Sequence, residues 1–292
     1  MDIALVGCGL WGSNVLRDLR ILGCRVHVVA RSAASVGRAR DGGAVIICSD
    51  IRDLGHVDGI VVVTPIETHA QVLEAALARG VPVFVEKPLC DEPEGAARLA
   101  TLAPDRLFVM DKWRYHPAVS ALAEIARRRT LGHVHELRTV RVQPGNRHLA
   151  DAVWVLAPHD LAIALEVLGD VPRPRAASGV WADGRLVTMH ALLESEAGWQ
   201  SIEISEQAQV NARRVELHCA EGTAVLADSW DEYVHVQTAA GTERVHAPGE
   251  LPLLAELRAF ADFIEGGPPP RSSAAEGAAI VTTIAGLREL AA

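Results

Sequence analysis

Hydrophobic and polar positions change their spacing part-way along the chain. Continuous apolar runs at 3–6, 25–29, 44–48, 60–63, 81–85 and 107–110 lack the alternation of a one-sided strand. They predict strands of a parallel sheet with helices on both faces. Between them, stretches such as 11–22 and 68–79 return apolar residues at helical spacing. This alternation of strand and helix predicts a doubly wound α/β domain. After Trp113 the pattern is different: a helix at 117–129, a strand at 133–143, a polar loop through Gly145, Asn146 and Arg147, and a helix at 152–168. From about 175 to 246 the period becomes two. Val215, Leu217 and Cys219 alternate with Glu216 and His218, and Val234 and Val236 flank His235. That predicts a mostly antiparallel open sheet with one covered face. Helices at 254–265 and 274–290 flank the turn Gly266-Gly267-Pro268-Pro269-Pro270.

The expected organisation is therefore a Rossmann domain over 1–114 and an α+β substrate and oligomerisation domain over 115–251. The helices within 252–292 are expected to pack back near the first domain. A chain of 292 residues can bury a core in each. Its formal net charge of -9 repels nucleic acid, so a phosphate-bearing ligand needs a local site. The five cysteines have no metal-type spacing, and no metal site is expected. The N-terminus opens on a strand-like run without a basic segment, and no apolar stretch is long enough to span a bilayer. A cytoplasmic protein without membrane contact is expected.

Gly7-Cys8-Gly9-Leu10-Trp11-Gly12 follows the first strand and opens a helix within a βαβ unit, the context a dinucleotide fingerprint requires. Gly7 permits the tight turn, Gly9 lets backbone approach a pyrophosphate, and Gly12 lets helix and strand pack closely. The helix N-terminus, with Leu10 and Trp11, turns its N–H groups toward the anion. An NAD site usually carries a carboxylate after the second strand. Here Arg31-Ser32 follows instead, a pair suited to a 2′-phosphate. NADP is the expected cofactor, with NAD the alternative.

Further residues make the chain recognisable. Thr64-Pro65-x-x-x-His69 and then Glu86-Lys87-Pro88, with Arg114-Tyr115-His116-Pro117, Ala157-Pro158-His159-Asp160 and Phe263-Ile264-x-x-Gly266, resemble the glucose–fructose oxidoreductase/inositol dehydrogenase (Gfo/Idh/MocA) family. The Trp11-Gly12 start and the Leu-Ala-Pro-His-Asp segment look most like its branch acting on nucleotide-linked sugars at C3. The resemblance implies hydride transfer between a nicotinamide and a secondary alcohol or ketone of a sugar, cyclitol or nucleotide-linked sugar. It also implies a homodimer or homotetramer. It assigns proton transfer at the reacting oxygen to Lys87, helped by His159. It places Thr64, Pro65, His69, Glu86 and Lys87 at the cofactor, and Lys87, Arg114, Tyr115 and His159 at the substrate. A cis peptide is frequent in the Glu-Lys-Pro turn, where Lys87–Pro88 is the one candidate.

The physics of the position agrees. Lys87 follows a strand at the carboxyl edge of the sheet, where open α/β folds bind ligands. Burial there would lower its pKa toward a value useful for proton transfer. His159 departs from the family pattern, which has Asp-x-x-x-His on a helix; Val155 stands where the aspartate belongs. Asp151 is two turns away, and Asp160 points about 100° away. Asp111-Lys112 reads as a surface pair. Trp154, Trp199 and Trp230 read as core packing, with walls against a sugar face as the alternative. Two other functions stay open: reduction of a cyclic imine or other non-sugar metabolite, and a sensor that binds the dinucleotide without catalysis.

Overall fold

The computed structural model describes residues 1–145 and 150–292. Asn146 and Arg147 of the expected polar loop lie outside the described residues. The chain divides into two compact units: Met1–Lys112 with Leu251–Val281, and Trp113–Glu250 with Thr282–Ala292.

The first unit runs β1 (Asp2–Val6), α1 (Leu10–Ile21), β2 (Arg25–Val29), α2 (Ala33–Asp41), β3 (Ile46–Cys48), β4 (Gly59–Val62), α3 (His69–Leu77), β5 (Val83–Glu86), α4 (Pro93–Leu102) and β6 (Leu107–Met110). Its strands pair in parallel in the order β3-β2-β1-β4-β5-β6. Ile3, Leu5, Val26, Val28, Val61, Phe84 and Phe108 are buried within it. The apolar runs are continuous because both faces of each strand are covered. The order in which strands are added reverses between β1 and β4, the switch point where open parallel sheets form a crevice at the carboxyl ends of their strands.

The second unit holds α5 (Pro117–Arg128), β7 (Val134–Pro144), α6 (Ala152–Leu168), β8 (Arg173–Ala182), β9 (Arg185–Ser195), β10 (Gly198–Ser205), β11 (Gln207–Cys219), β12 (Gly222–Leu226), β13 (Tyr233–Thr238) and β14 (Gly241–His246). They form an eight-stranded sheet in the order β14-β13-β12-β11-β7-β10-β9-β8, antiparallel except where β7 meets β10. One face alternates inward, with Met189, Ala191 and Leu193 buried on β9 while His190 and Leu192 are exposed. α6 is apolar almost all round and packs beneath β9 and β10. Pro158 lies inside it and removes the bond to the Trp154 carbonyl.

Two helices complete the chain, α7 (Pro252–Ile264) and α8 (Ala274–Leu290). α7 belongs to the first unit. Its Phe260 ring stacks on Phe84 at 5.0 Å, and Phe263 meets Phe108 edge-on at 4.9 Å. In the second unit, Arg288 near the end of α8 bonds Asp151, the N-cap residue of α6.

The core packing expected of the tryptophans fails for two of them. Trp199 is 41% exposed and Trp230 79% exposed. Trp199 falls on the outward side of β10, whose inward neighbour Gln200 is buried, and Trp230 lies in the turn between β12 and β13. Among the described residues no helix is long and apolar enough to cross a membrane.

Candidate active site

The glycine fingerprint forms the floor of the crevice in the first unit. Gly7 has φ +97°, and a Cβ there would stand 2.3 Å from the Val63 carbonyl oxygen. At Gly12 a Cβ would meet the Gly7 carbonyl oxygen at 2.4 Å, so neither position admits a side chain. Gly9 is different: nothing lies within 4 Å of its Cβ position, and it caps α1 without a side-chain bond. Two glycines close the turn and the third leaves room where a pyrophosphate would approach the helix N-terminus. No acidic residue stands in the first turn of α1 to oppose an anion. This cradle fits a dinucleotide. Leu10 is exposed, and Trp11 is half-buried with the Lys112 Nζ 4.5 Å above its ring.

At the end of β2, Arg31 is exposed and donates through Nε to the Ser49 carbonyl at 3.2 Å. Ser32 caps α2, its hydroxyl accepting from Ser35 N–H. The nearby carboxylate, Asp50, is taken by Arg52 in a two-point ion pair, which holds it well below the usual range. Arg38 on α2 donates to the Cys8 carbonyl at 3.0 Å and so ties the helix to the fingerprint loop.

The turns after β4 and β5 carry the next group. Thr68 donates to the Thr64 hydroxyl at 2.8 Å and approaches the Pro65 carbonyl at 2.6 Å. Glu86 ends β5, Lys87 follows it half-buried, and the Lys87–Pro88 peptide is cis. Burial raises the Glu86 carboxyl above its ordinary value, against the pull of Lys87, Lys112 and the Trp11 indole. His69 is fully buried, with its two ring nitrogens at the carbonyls of Pro88 and Thr64. Burial lowers its pKa, and those carbonyls act in the opposite sense. Gly7, Gly9, Leu10, Trp11, Gly12, Thr64, Pro65, Glu86 and Lys87 thus share one edge of the sheet, and His69 stands behind it as a brace.

Arg114, Tyr115 and His159 belong to the second unit. Arg114 is buried and donates to Glu166 at 3.1 Å. His116 accepts from Ala118 N–H through Nδ1, and its Nε2 donates to the Ser229 carbonyl at 3.0 Å, which fixes its tautomer. His159 is half-buried on α6, one turn after Val155. Asp160 accepts from Arg141 Nε at 3.2 Å through both carboxylate oxygens, and Gln200 donates to its carbonyl at 2.9 Å. Arg141 also lies 4.5 Å over the Trp113 ring, which stacks on His116. Asp151, the other carboxylate on α6, is held by Leu186 N–H and Arg288.

Sequence reasoning missed Arg38 and Glu256, and it misjudged Asp111. Asp111 is 1% exposed rather than part of a surface pair, because it continues the fully buried β6. Glu256 sits on the inward stripe of α7 between Leu253 and Phe260, where the helical period itself could have flagged a carboxyl at a core position. Among the described residues no cluster of side chains is arranged to hold a metal ion.

Comparison with known proteins agrees with this geometry. Residues 1–109 match the Gfo/Idh/MocA family, described as an oxidoreductase family with an NAD-binding Rossmann fold. An inositol 2-dehydrogenase from Arthrobacter sp. (strain FB24) is 26% identical over 223 residues, 68% of this chain and 64% of that protein. A UDP-N-acetylglucosamine 3-dehydrogenase from Acidithiobacillus ferrooxidans is 32% identical over 167 residues, 56% of this chain and 50% of the relative. The chain thus spans between half and two thirds of the length of these two relatives. A levoglucosan dehydrogenase solved with NADH and levoglucosan shares the fold, with a TM-score of 0.88 at 18% identity over 100% of this chain and 97% of that one. The first 109 residues are thus similar to the Gfo/Idh/MocA family of oxidoreductases, and the fold of the chain is similar to that of the levoglucosan dehydrogenase.

Proposed function

We propose that this protein is an NADP-dependent oxidoreductase that moves a hydride between the nicotinamide and a secondary alcohol or ketone of a sugar, cyclitol or nucleotide-linked sugar. The observation that carries the reading is the position of Lys87. It is the first residue after β5, at the sheet edge that also holds the open cradle at Gly9. Relatives named as inositol and nucleotide-sugar dehydrogenases support the substrate class.

A bound nicotinamide would supply the acceptor or donor of the hydride. The protein's own groups do the rest. The backbone of Gly7–Gly12 and the first turn of α1 receive the pyrophosphate. Arg31 and Ser32 receive the 2′-phosphate, which Asp50 does not oppose strongly because Arg52 holds its charge. Lys87 Nζ holds the reacting oxygen and takes or returns its proton. His159 assists from the second unit, while Arg114 and Tyr115 face the substrate. The outward face of β9 and β10, with Leu192 and Trp199 exposed, is the surface offered for a homodimer or homotetramer.

The test follows absorbance of NADPH and NADH with a panel of sugar, cyclitol and nucleotide-sugar ketones, and the reverse reaction with their alcohols. Turnover of one such substrate, faster with NADPH, is the expected result. Binding of either dinucleotide without turnover of any alcohol or ketone would reject the enzyme reading.

A further inference from the structure

Three carboxylic side chains meet inside the first unit at the carboxyl edge of its sheet. Glu86 closes β5. Asp111 follows β6, whose Met110 is the register partner of Glu86. Glu256 comes from α7, one turn before the Phe260 ring that stacks on Phe84. Asp111 and Glu256 are each 1% exposed.

The charged surroundings of Glu256 are few. Glu86 and Asp111 face it, and Lys112, poised over Trp11, is the cation acting on it. Lys87 stands beside Glu86. α1, packed against α7, carries Arg17, Asp18 and Arg20; Asp18 accepts from Arg17 at 2.7 Å, two turns beyond Trp11. On α7 itself, Arg258 is exposed and Asp262 lies nearly two turns further on.

An ionised carboxylate so deeply buried requires donors at its oxygens. Glu256 Oε2 is sealed from solvent and has no hydrogen-bond partner. Neighbouring buried carboxyls relieve their repulsion by retaining a proton.

We propose that Glu256 is a proton-binding site, a neutral carboxylic acid in the folded protein at neutral pH, whose proton removes one negative charge from the buried edge it shares with Glu86 and Asp111. Burial, then the charges of Glu86 and Asp111, push it well above the usual glutamate value, with Lys112 pulling the other way. The sign follows from linkage. A raised folded pKa gives stability that is complete below the ordinary value of about 4.3 and is lost as pH rises toward the folded value. The unit that carries the glycine fingerprint therefore loses stability as pH rises above the ordinary value, through Glu256 on α7 together with the raised carboxyl of Glu86.

The test compares urea unfolding of wild type and Glu256→Gln from about pH 5 to about pH 8, since glutamine keeps the shape and cannot ionise. The wild-type unfolding constant should grow relative to the variant's by up to about tenfold per pH unit. Parallel profiles would overturn the proposal. If the variant does not fold, carbon-13 NMR of the wild type labelled at glutamate decides. The carboxyl carbon assigned to Glu256 by through-bond correlation should remain in its protonated form at neutral pH. A Glu256 carbon that titrates in the ordinary acid range would equally overturn it.

Discussion

His69 Nδ1 lies 3.0 Å from the carbonyl oxygen of Pro88, and through Nε2, 2.9 Å from the Thr64 carbonyl, the same ring joins the turn after β4 to the turn that carries Lys87. The neutral ring carries one N–H and bonds one of these carbonyls at a time, so leucine in its place would leave that buried carbonyl without a partner. His69→Leu should lose about 1–3 kcal/mol of stability in denaturant titration, the cost of one unsatisfied buried group. Burial also lowers the imidazole pKa. Its contribution is therefore full above the ordinary value of about 6.5 and is lost as pH falls below it. Wild type should lose up to about 1.4 kcal/mol per pH unit on acidification that His69→Gln does not lose. Identical acid profiles for the two would show that the ring does not titrate.

In the proposed reaction Lys87 acts on the substrate oxygen rather than holding the dinucleotide. Lys87→Met should bind NADPH nearly as well as wild type, measured by fluorescence titration. Its turnover should fall by about 10²–10⁴, the range for loss of a proton-transfer group. Unchanged turnover would remove it from the reaction.

Arg31 is exposed at the end of β2, anchored through Nε to Ser49. Arg31→Asp should weaken NADPH binding by roughly 1.5–3 kcal/mol, as for a hydrogen bond to a charged group. NADH binding should change little. Calorimetric titration with both dinucleotides checks this, and tighter NADH binding by wild type would refute the assignment.

Val155 leaves the imidazole of His159 without an aspartate one turn back. The other carboxylates on α6 near it are committed elsewhere, Asp160 to Arg141 and Asp151 to Arg288. His159→Ala should therefore cost less activity than Lys87→Met. Val155→Asp should raise the ring's basicity and shift the pH–rate profile upward. Profiles of wild type and the three variants decide. If His159→Ala is the most damaging change and Val155→Asp moves nothing, the ring already has its support.

Much of the first unit was legible because its information is local. Strands buried on both faces announce themselves as unbroken apolar runs, and Gly7 through Gly12 specify their turn within six residues. α2 escaped notice because it is short and arginine-rich, with Ala39 its one buried residue. Arg38 and Glu256 escaped for a different reason. Arg38 acts on a carbonyl thirty residues away, and Glu256 acquires its meaning only when α7 returns to strands laid down far earlier. Asp111 misled because adjacent opposite charges resemble a solvated pair, while the strand before it carries the backbone into the interior. In the second unit the two-residue period located the sheet, but not the parallel pairing of β7 with β10 that puts β7 between β11 and β10.

The bond from Arg38 to the Cys8 carbonyl has a practical consequence for redesign. A graft that replaces the whole segment after β2 with that of an NAD-selective protein would cut this tether and slacken the loop proposed to hold the dinucleotide. In the proposed reading selectivity, at Arg31 and the cap Ser32, and grip, through Arg38, lie on one continuous segment around this nine-residue helix. A retrofit confined to positions 31 and 32 changes the first and leaves the second intact.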